Sequence, residues 1–600
     1  MSQSIELPVN GGDPQRGNPS SSCFARCRRL VGFAVFIIAV VVAIPIKCWA
    51  TVYTDVRDFE SLCQFAASKA EGEYKPSPPL PEPLASWQYD DYIQVRYRPD
   101  RATWYKQGLP FWLETFHRGF VQTDLVELFT LNPSPNGEPI CQRIAFNQND
   151  FVYGESLDAG NIPPAGHAGF RVIGRFPNRS DAQEILSFLG SSYFRSRSAD
   201  TVYGASARGL AINIAMMEPE EFPDFRAFWI QMPSQESEQV SVLAFLDSPS
   251  VTGAYRFQLQ PGEASTRIKV QAQIFYRDEP EKIALAPLTS MWIWGDGLQG
   301  PPKDKRPAVH DSDGLLIQSG ADEWTWRAFA RQSYPSVSSK QVEHLHGFGL
   351  IQRNRAFYHY DDHNARYDLR PSVWVTPDQP WPNGRIELLE LPGAHEGVDN
   401  LAAYWLPSED DSAAADTPTE SDSLSTQTSE PANEQAGAET TVGEEASVEQ
   451  AIIDPASRRS PDLDLSYTVS FFAGDPAAHN VLGRATNLDV RRPEKDSDPI
   501  ELEIRFAGPL LRGLPADHPP TIRCNAVAGK MHDQSLERTD EGDWILQFLV
   551  SVDPEAEENQ PVDLTLQLYS EDQPVTETFA YLLPPREPEF VYPAVYTRQE

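Results

Sequence analysis

The sequence predicts an all-β protein made of two sandwiches, and three observations carry that prediction. Segments of alternating apolar and polar residues recur along the chain (IQVRYR, VSVLAFL, YRFQLQ, IKVQAQIFY, RIELLEL), separated by turn sequences such as NPSPNGEP, QPG and WPNG. Proline (52), glycine (36) and aromatic residues (11%, with 13 Trp) are too abundant for a helical bundle. An abrupt acidic stretch divides the alternating segments into a long and a short group, so a large antiparallel sandwich over residues 84–407 and a smaller one over 461–590 are expected.

Taken in order, residues 1–50 read as a cytoplasmic tail and export signal. Leu30 to Ile46 is apolar throughout, Arg26, Arg28 and Arg29 precede it, and KCWA follows with small-residue spacing suited to signal peptidase. Cleavage after Ala50 and retention as an inner-membrane anchor both fit a run of this length. Either outcome puts the rest of the chain in the periplasm, with the membrane touched only through this segment if it is uncleaved. Residues 51–83 combine a short helical pattern, VRDFESLCQFAASKA, with the extended Pro-rich KPSPPLPEPL. Between Ser408 and Ile453 lie twelve acids and no lysine, arginine or aromatic residue, which predicts a disordered linker over 408–460. From Leu463 strands return in LSYTVSFFAG, IELEIRF, WILQFLVSV, VDLTLQLYS and TETFAYLLP, the size and rhythm of an immunoglobulin-like sandwich.

The formal charge of −36, from 86 acids against 50 bases, disfavours nucleic acid and anionic surfaces and favours a neutral ligand. GxSxG, Walker, HExxH and CxxC patterns are absent, and the pairs His344/His346 and His359/His363 have no carboxylate pattern beside them. Neither metal nor other cofactor is therefore expected. Cys63, Cys141 and Cys524 are far apart and read as small buried hydrophobes, with one bridge conceivable.

The densest chemistry lies in HDSDGLLIQSGADEWTWR, His310 to Arg327, which holds four carboxylates, two tryptophans and an arginine. Aromatic faces stack on sugar rings while carboxylates and arginine bond the hydroxyls, so this pattern suits a carbohydrate cleft. Trp324, Trp326, Tyr367 and Trp374, interspersed with Arg327, Arg366 and Arg370, extend it, and Arg208 in YGASARGLAI sits among small residues that permit close approach. Asp311, and Asp399 in GAHEGVDNLAAYW, each occupy a loop position from which a carboxylate can enter a cleft. Two such groups suggest glycoside hydrolysis, one protonating the leaving oxygen and the other driving attack by water.

Many segments, among them WQYDDYIQVRYRPDRATWYKQGLPFWLETFHRGF, LGSSYFR, EEFPDFRAFWI, APLTSM, RPAVHDSDGLL, GFGLIQR, ARYDLRPSVWV and VDNLAAYW, closely resemble the osmoregulated periplasmic glucan biosynthesis proteins G and D. The likeness covers nearly all of 84–405 and, more loosely, 463–585. It implies a periplasmic protein of Gram-negative bacteria with a galactose-mutarotase-like sandwich, needed for β-1,2-glucan synthesis, with β-1,2-glucan as ligand and the inner-membrane glucan synthase as an expected partner. Some members are similar to inverting endo-β-1,2-glucanases. By motif, the resemblance places the general acid on Asp399 and the general base on Asp311, with the water reaching its base through a substrate hydroxyl. Asp399, among apolar and small residues, is expected to be the desolvated carboxyl of the two. Three departures stand out: the long acidic insertion, the N-terminal extension before Arg26, and a loop AGDPAAHNVLGRATNLDVRR without an aromatic residue.

Overall fold

The computed structural model describes residues 53–587 apart from 321–322, 393–394, 409–458, 478, 480, 493–497 and 558. The export signal and almost all of the acidic linker lie outside the described residues. No helix among the described residues is long and apolar enough to cross a membrane.

The chain is all-β, and alternation explains where each strand goes. In Ser265–Tyr276 every second side chain from Thr266 to Ile274 is buried, so the strand presents one face to a core and one outward. Two sheets bring such faces together. One runs in the order Phe111–His117, His167–Arg175, Ala182–Leu189, Tyr193–Ser196, Ser206–Arg208, Ile283–Ser290, Leu401–Pro407, Gly384–Glu390, Ser336–Val342. The facing sheet is built on Asp224–Gln231, Val240–Asp247, Val251–Gln260 and Ser265–Tyr276 as consecutive antiparallel neighbours. Between them Phe170, Phe188, Phe194, Phe225, Phe228 and Phe257 form a continuous cluster, with Phe188 and Phe228 ring centroids 4.9 Å apart. Edge and tilted packing of this kind adds about 1 kcal/mol per pair to simple burial.

The outer face of the second sheet is covered by the helix Phe59–Ala70, the segment the sequence marks as helical. Asp58 caps it, accepting from Ser61 N at 2.8 Å. Phe65 packs edge-on against Phe245 at 4.9 Å, and Thr252 Oγ1 donates to Ala66 O at 2.8 Å.

One strand departs from expectation. Leu463–Phe472, grouped by sequence with the C-terminal sandwich, pairs on one side with Ser265–Tyr276 and on the other with Ser372–Pro377. Its buried residues Leu465, Tyr467, Val469 and Phe471 belong to the large core. A strand whose flanking edges are both unpaired without it is drawn there by the hydrogen bonds it completes.

The C-terminal strands Arg484–Arg491, Ile500–Ala507, Trp544–Val552 and Gly529–Arg538 form a four-stranded sheet. Its partner sheet, Thr521–Val527, Val562–Ser570 and Thr578–Leu583, joins the large sheet directly, because Thr578–Leu583 pairs in parallel with Trp324–Ala328. The three cysteines are free, and Cys524 is exposed rather than buried.

A buried ion cluster ties the two parts together. Arg353 Nη1 lies 2.8 Å from Glu577 Oε1, and Nη2 lies 2.8 Å from Asp475 Oδ1, with the guanidinium 3.8 Å over the Trp326 ring. Burial opposes ionisation of Glu577, yet Arg353 and His479 hold its carboxyl down at about 2. Arg353→Ala leaves Asp475 with only Arg484 and Glu577 with only His479 as side-chain partners and is expected to lower unfolding free energy by about 3 kcal/mol. Urea denaturation checks this, and a midpoint unchanged from wild type contradicts it.

Candidate active site

The outward face of the first sheet carries a polar row. Phe170, Phe188, Phe194, Ala207, Leu288 and Ala403 point into the core, so their neighbours Arg171, Ser187, Arg195, Ser206, Thr289 and Ala402 point away from it. Pairing aligns them: Glu114 opposite Arg171, Arg171 opposite Ser187, Ser187 opposite Arg195, and Ser206 opposite Thr289, which also faces Ala402. Arg195 Nε closes the remaining step, donating to Ser206 Oγ at 2.6 Å. Arg171 joins Glu114 and Glu184 at 2.5 and 2.8 Å.

Both sequence-identified aspartates are tied to one end of this row. Asp399 precedes Leu401–Pro407, and its Oδ2 accepts from Thr289 Oγ1 at 2.7 Å. The adjacent Asn400 imitates a strand residue: its amide pairs with Trp292 N and O, both at 2.9 Å, while its backbone N–H donates to Ser290 O. Asp311 hangs from the same stretch, its N–H donating to Met291 O at 2.8 Å, and Ser312 Oγ meets Ser290 Oγ at 2.8 Å. Residues 289–292 thus hold both loops.

Their environments differ, and in the opposite sense to the sequence expectation. Asp311 is 8% exposed, whereas Asp399 is half-buried. Burial raises the Asp311 carboxyl to about 6; Arg370, with Nε 3.3 Å from Oδ1, pulls it down, and the Asp399 charge pushes it up. The correction is physical: loop residues 395–398 beside Asp399 are exposed, so small apolar neighbours in sequence do not desolvate it. His310 is held near 4 by burial and faces Gln352 Oε1 at 3.0 Å, so it is neutral at pH 7. Asp313 turns elsewhere, accepting from Arg353 N and Asn354 N.

Asp399 lines a groove of about 690 Å³ together with Arg195, Tyr193, Ser187, Gln122 and Asp224. Val121, Phe222 and Val398 also line it while remaining 63%, 49% and 46% exposed. Apolar surface interleaved with amide, hydroxyl and carboxylate groups is what a pyranose, with apolar faces and a polar rim, requires. Burial, then the neighbouring Asp124, raises the Asp224 carboxyl to about 7, so it also serves as a hydrogen-bond donor near neutrality.

The other sequence-predicted residues divide into two groups. Arg370 and Tyr367 sit beside Asp311, behind the groove and not among its lining: the guanidinium lies 5.3 Å over the Tyr367 ring, and Tyr367, buried in a cluster with Met291 and Tyr360, donates its hydroxyl to Glu396 Oε1 at 2.5 Å. Arg208 is 2% exposed, sits 5.1 Å from Tyr193 and 4.9 Å from Phe222, and pairs with Glu220 at 2.7 Å. It supports the groove wall from behind instead of facing the groove. Trp324, Trp326 and Trp374 lie elsewhere, in the core shared by the large sheet and the small sandwich. Trp324 stacks on Trp374 at 5.8 Å and on His479 at 4.4 Å.

Sequence reasoning missed Arg195, Tyr193, Phe222, Thr289 and Glu396. Glu396 lies in the same loop as Asp399 and takes both nitrogens of Arg306 at 2.9 and 3.0 Å, but nothing in its spacing distinguishes it from a solvated acid. No group of three or more His, Cys, Asp or Glu side chains among the described residues is arranged to hold a metal.

The Asp311 shift has a sign that can be measured. Its native value of about 6 exceeds the unfolded value of about 3.9, so ionisation costs stability above pH 6 and nothing below pH 4. Asp311→Asn is expected to raise unfolding free energy at pH 8 by about 2–3 kcal/mol, a gain that fades as pH falls from 6 to 4. Paired urea melts at the two extremes check it; an equal gain at both contradicts it.

Residues 58–583 match the family model described as Periplasmic glucan biosynthesis protein, MdoG. Glucans biosynthesis protein G of Serratia proteamaculans (strain 568) is 33% identical over 530 residues, covering 86% of this chain and 91% of that relative. With the family model spanning both sandwiches, this chain belongs to the MdoG family of periplasmic glucan biosynthesis proteins.

Proposed function

We propose that this protein binds β-1,2-glucan along the polar row and hydrolyses it with inversion, Asp399 acting as general acid and Asp311 as general base. The observation that carries the reading is that residues 289–292 hold both the Asp399 carboxyl and the Asp311 backbone, with Asp399 lining a groove of saccharide character. With a carboxyl near 6, Asp311 is mostly ionised at pH 7 yet basic enough to accept a proton, the compromise that general-base catalysis favours. The Arg370 charge, 3.3 Å from Asp311 Oδ1, moderates that carboxylate's basicity. Protonation of the leaving oxygen falls to Asp399, on the groove side, with Thr289 fixing one carboxyl oxygen. The inverting assignment comes from the family resemblance, in which water acts through a sugar hydroxyl, so Asp311 need not touch the water.

A second reading is favoured by the loop 473–492, which brings no aromatic residue to the cleft: the protein holds nascent glucan for the membrane synthase without cutting it. The two readings separate in one assay. Under the first, purified protein shortens linear β-1,2-glucan, and Asp399→Asn lowers the rate by about 10²-fold or more while glucan affinity persists. Reducing-end release and retardation in glucan-containing gels read these quantities. Chains left intact by the wild type, with binding retained, favour the second reading.

A further inference from the structure

We infer that the hairpin tip Phe120–Val121 and the neighbouring Tyr89 form a platform at the groove rim, on which sugar rings of a bound glucan that extend beyond the groove stack; this rests on the groove reading above. Three independent features converge on it.

The first is continuity. Val121, Gln122 and Thr123 line the groove that Asp399 also lines, so the tip is part of its wall. The platform thus continues the wall of the groove that Asp399 lines, outward from Val121 through the Phe120 and Tyr89 rings.

The second is an exposed aromatic and apolar surface. Tyr89 is 61% exposed, Ile93 48% and Val121 63%. Tyr89 meets the Phe120 ring edge-on at 6.2 Å, and Tyr92 lies 6.5 Å from it. Singly exposed apolar residues are ordinary, but a contiguous group bordering a groove is a binding feature.

The third is that the tip is held in an unfavourable conformation. Phe120 adopts φ +55°, a left-handed geometry rare for an aromatic residue. Gly119 and Gln122 exchange backbone hydrogen bonds at 3.0 and 2.9 Å across the two-residue turn. A Cβ on Gly119 would come within 2.5 Å of Trp87, and Tyr92 Oη donates to His117 O at 2.9 Å. The surroundings therefore force Phe120 and Val121 to the rim, as expected of a strained residue retained for binding. The occupant follows from chemistry: the C–H faces of neutral pyranose rings suit exposed aromatic and apolar side chains, and the same polymer already runs along the groove.

Tyr89→Ala removes an exposed ring without disturbing a core, and Phe120→Gly relieves the strain while removing the second ring. Affinity of the full-length protein for long linear β-1,2-glucan and for the disaccharide sophorose is measured by calorimetry. Each variant is expected to bind the long chain about fivefold more weakly and sophorose as the wild type does. Wild-type affinity of both variants for the long chain overturns the platform while leaving the groove reading intact. A change in sedimentation in place of affinity makes the patch a self-association surface and overturns it too. A wild type that binds no glucan of any length overturns the groove reading and the platform with it.

Discussion

Four residues of one strand region, Thr289 to Trp292, set the geometry on which the candidate site depends. Thr289 holds the Asp399 carboxyl, Met291 holds the Asp311 backbone, and Ser290 with Trp292 receives Asn400 and Ser312. Two aspartates far apart in sequence are thereby fixed relative to each other by side-chain and backbone hydrogen bonds to one short stretch of chain at the end of a sheet strand. Rigid attachment of this kind is what a reaction needing a proton donor and acceptor on one substrate requires. It also explains the unequal environments: Asp311 lies down against Arg370 and the cluster around Tyr367, while Asp399 stays on the groove side.

The fold was legible because β alternation is a local signal. Strands such as Ser265–Tyr276 and Val251–Gln260 were visible as period-2 runs, and the helix Phe59–Ala70 as a short helical pattern. The placement of Leu463–Phe472 was not legible, since its alternating pattern fits either sandwich and only the vacant position between two particular strands decides. Aromatic residues misled for a related reason. Trp324 and Trp326 alternate with polar residues as cleft-lining side chains would, but so do side chains packed between two sheets, and composition does not say which sheet face is closed by a neighbour.

Among the candidate residues, Asp311 and Asp399 were singled out from loop position and motif, Arg370 and Tyr367 from aromatic residues interspersed with arginine; Arg370 and Tyr367 lie beside Asp311, and Thr289 to Trp292 hold both aspartate loops. The groove walls were invisible because they draw single residues from many strands: Arg195, Ser206 and Thr289 become a row only through sheet register. Arg208 shows the converse, since a residue chosen as a ligand contact acts by holding Tyr193 and Phe222 in place. The strongly acidic chain is consistent with an uncharged polymer as its cargo, because a neutral glucan incurs no long-range repulsion from a net charge of −36.

In the proposed mechanism one glucan chain lies along the row and passes both carboxylates. A crystal structure of the Asp399→Asn variant soaked with linear β-1,2-glucan measures this directly. Sugar rings are expected in contact with Gln122, Ser187 and Arg195 and a glycosidic oxygen within hydrogen-bonding distance of position 399, with Asp311 beside the same ring. Glucan seated instead in the cavity between the sandwiches, against Trp326 and Arg353 and out of reach of position 399, would contradict it.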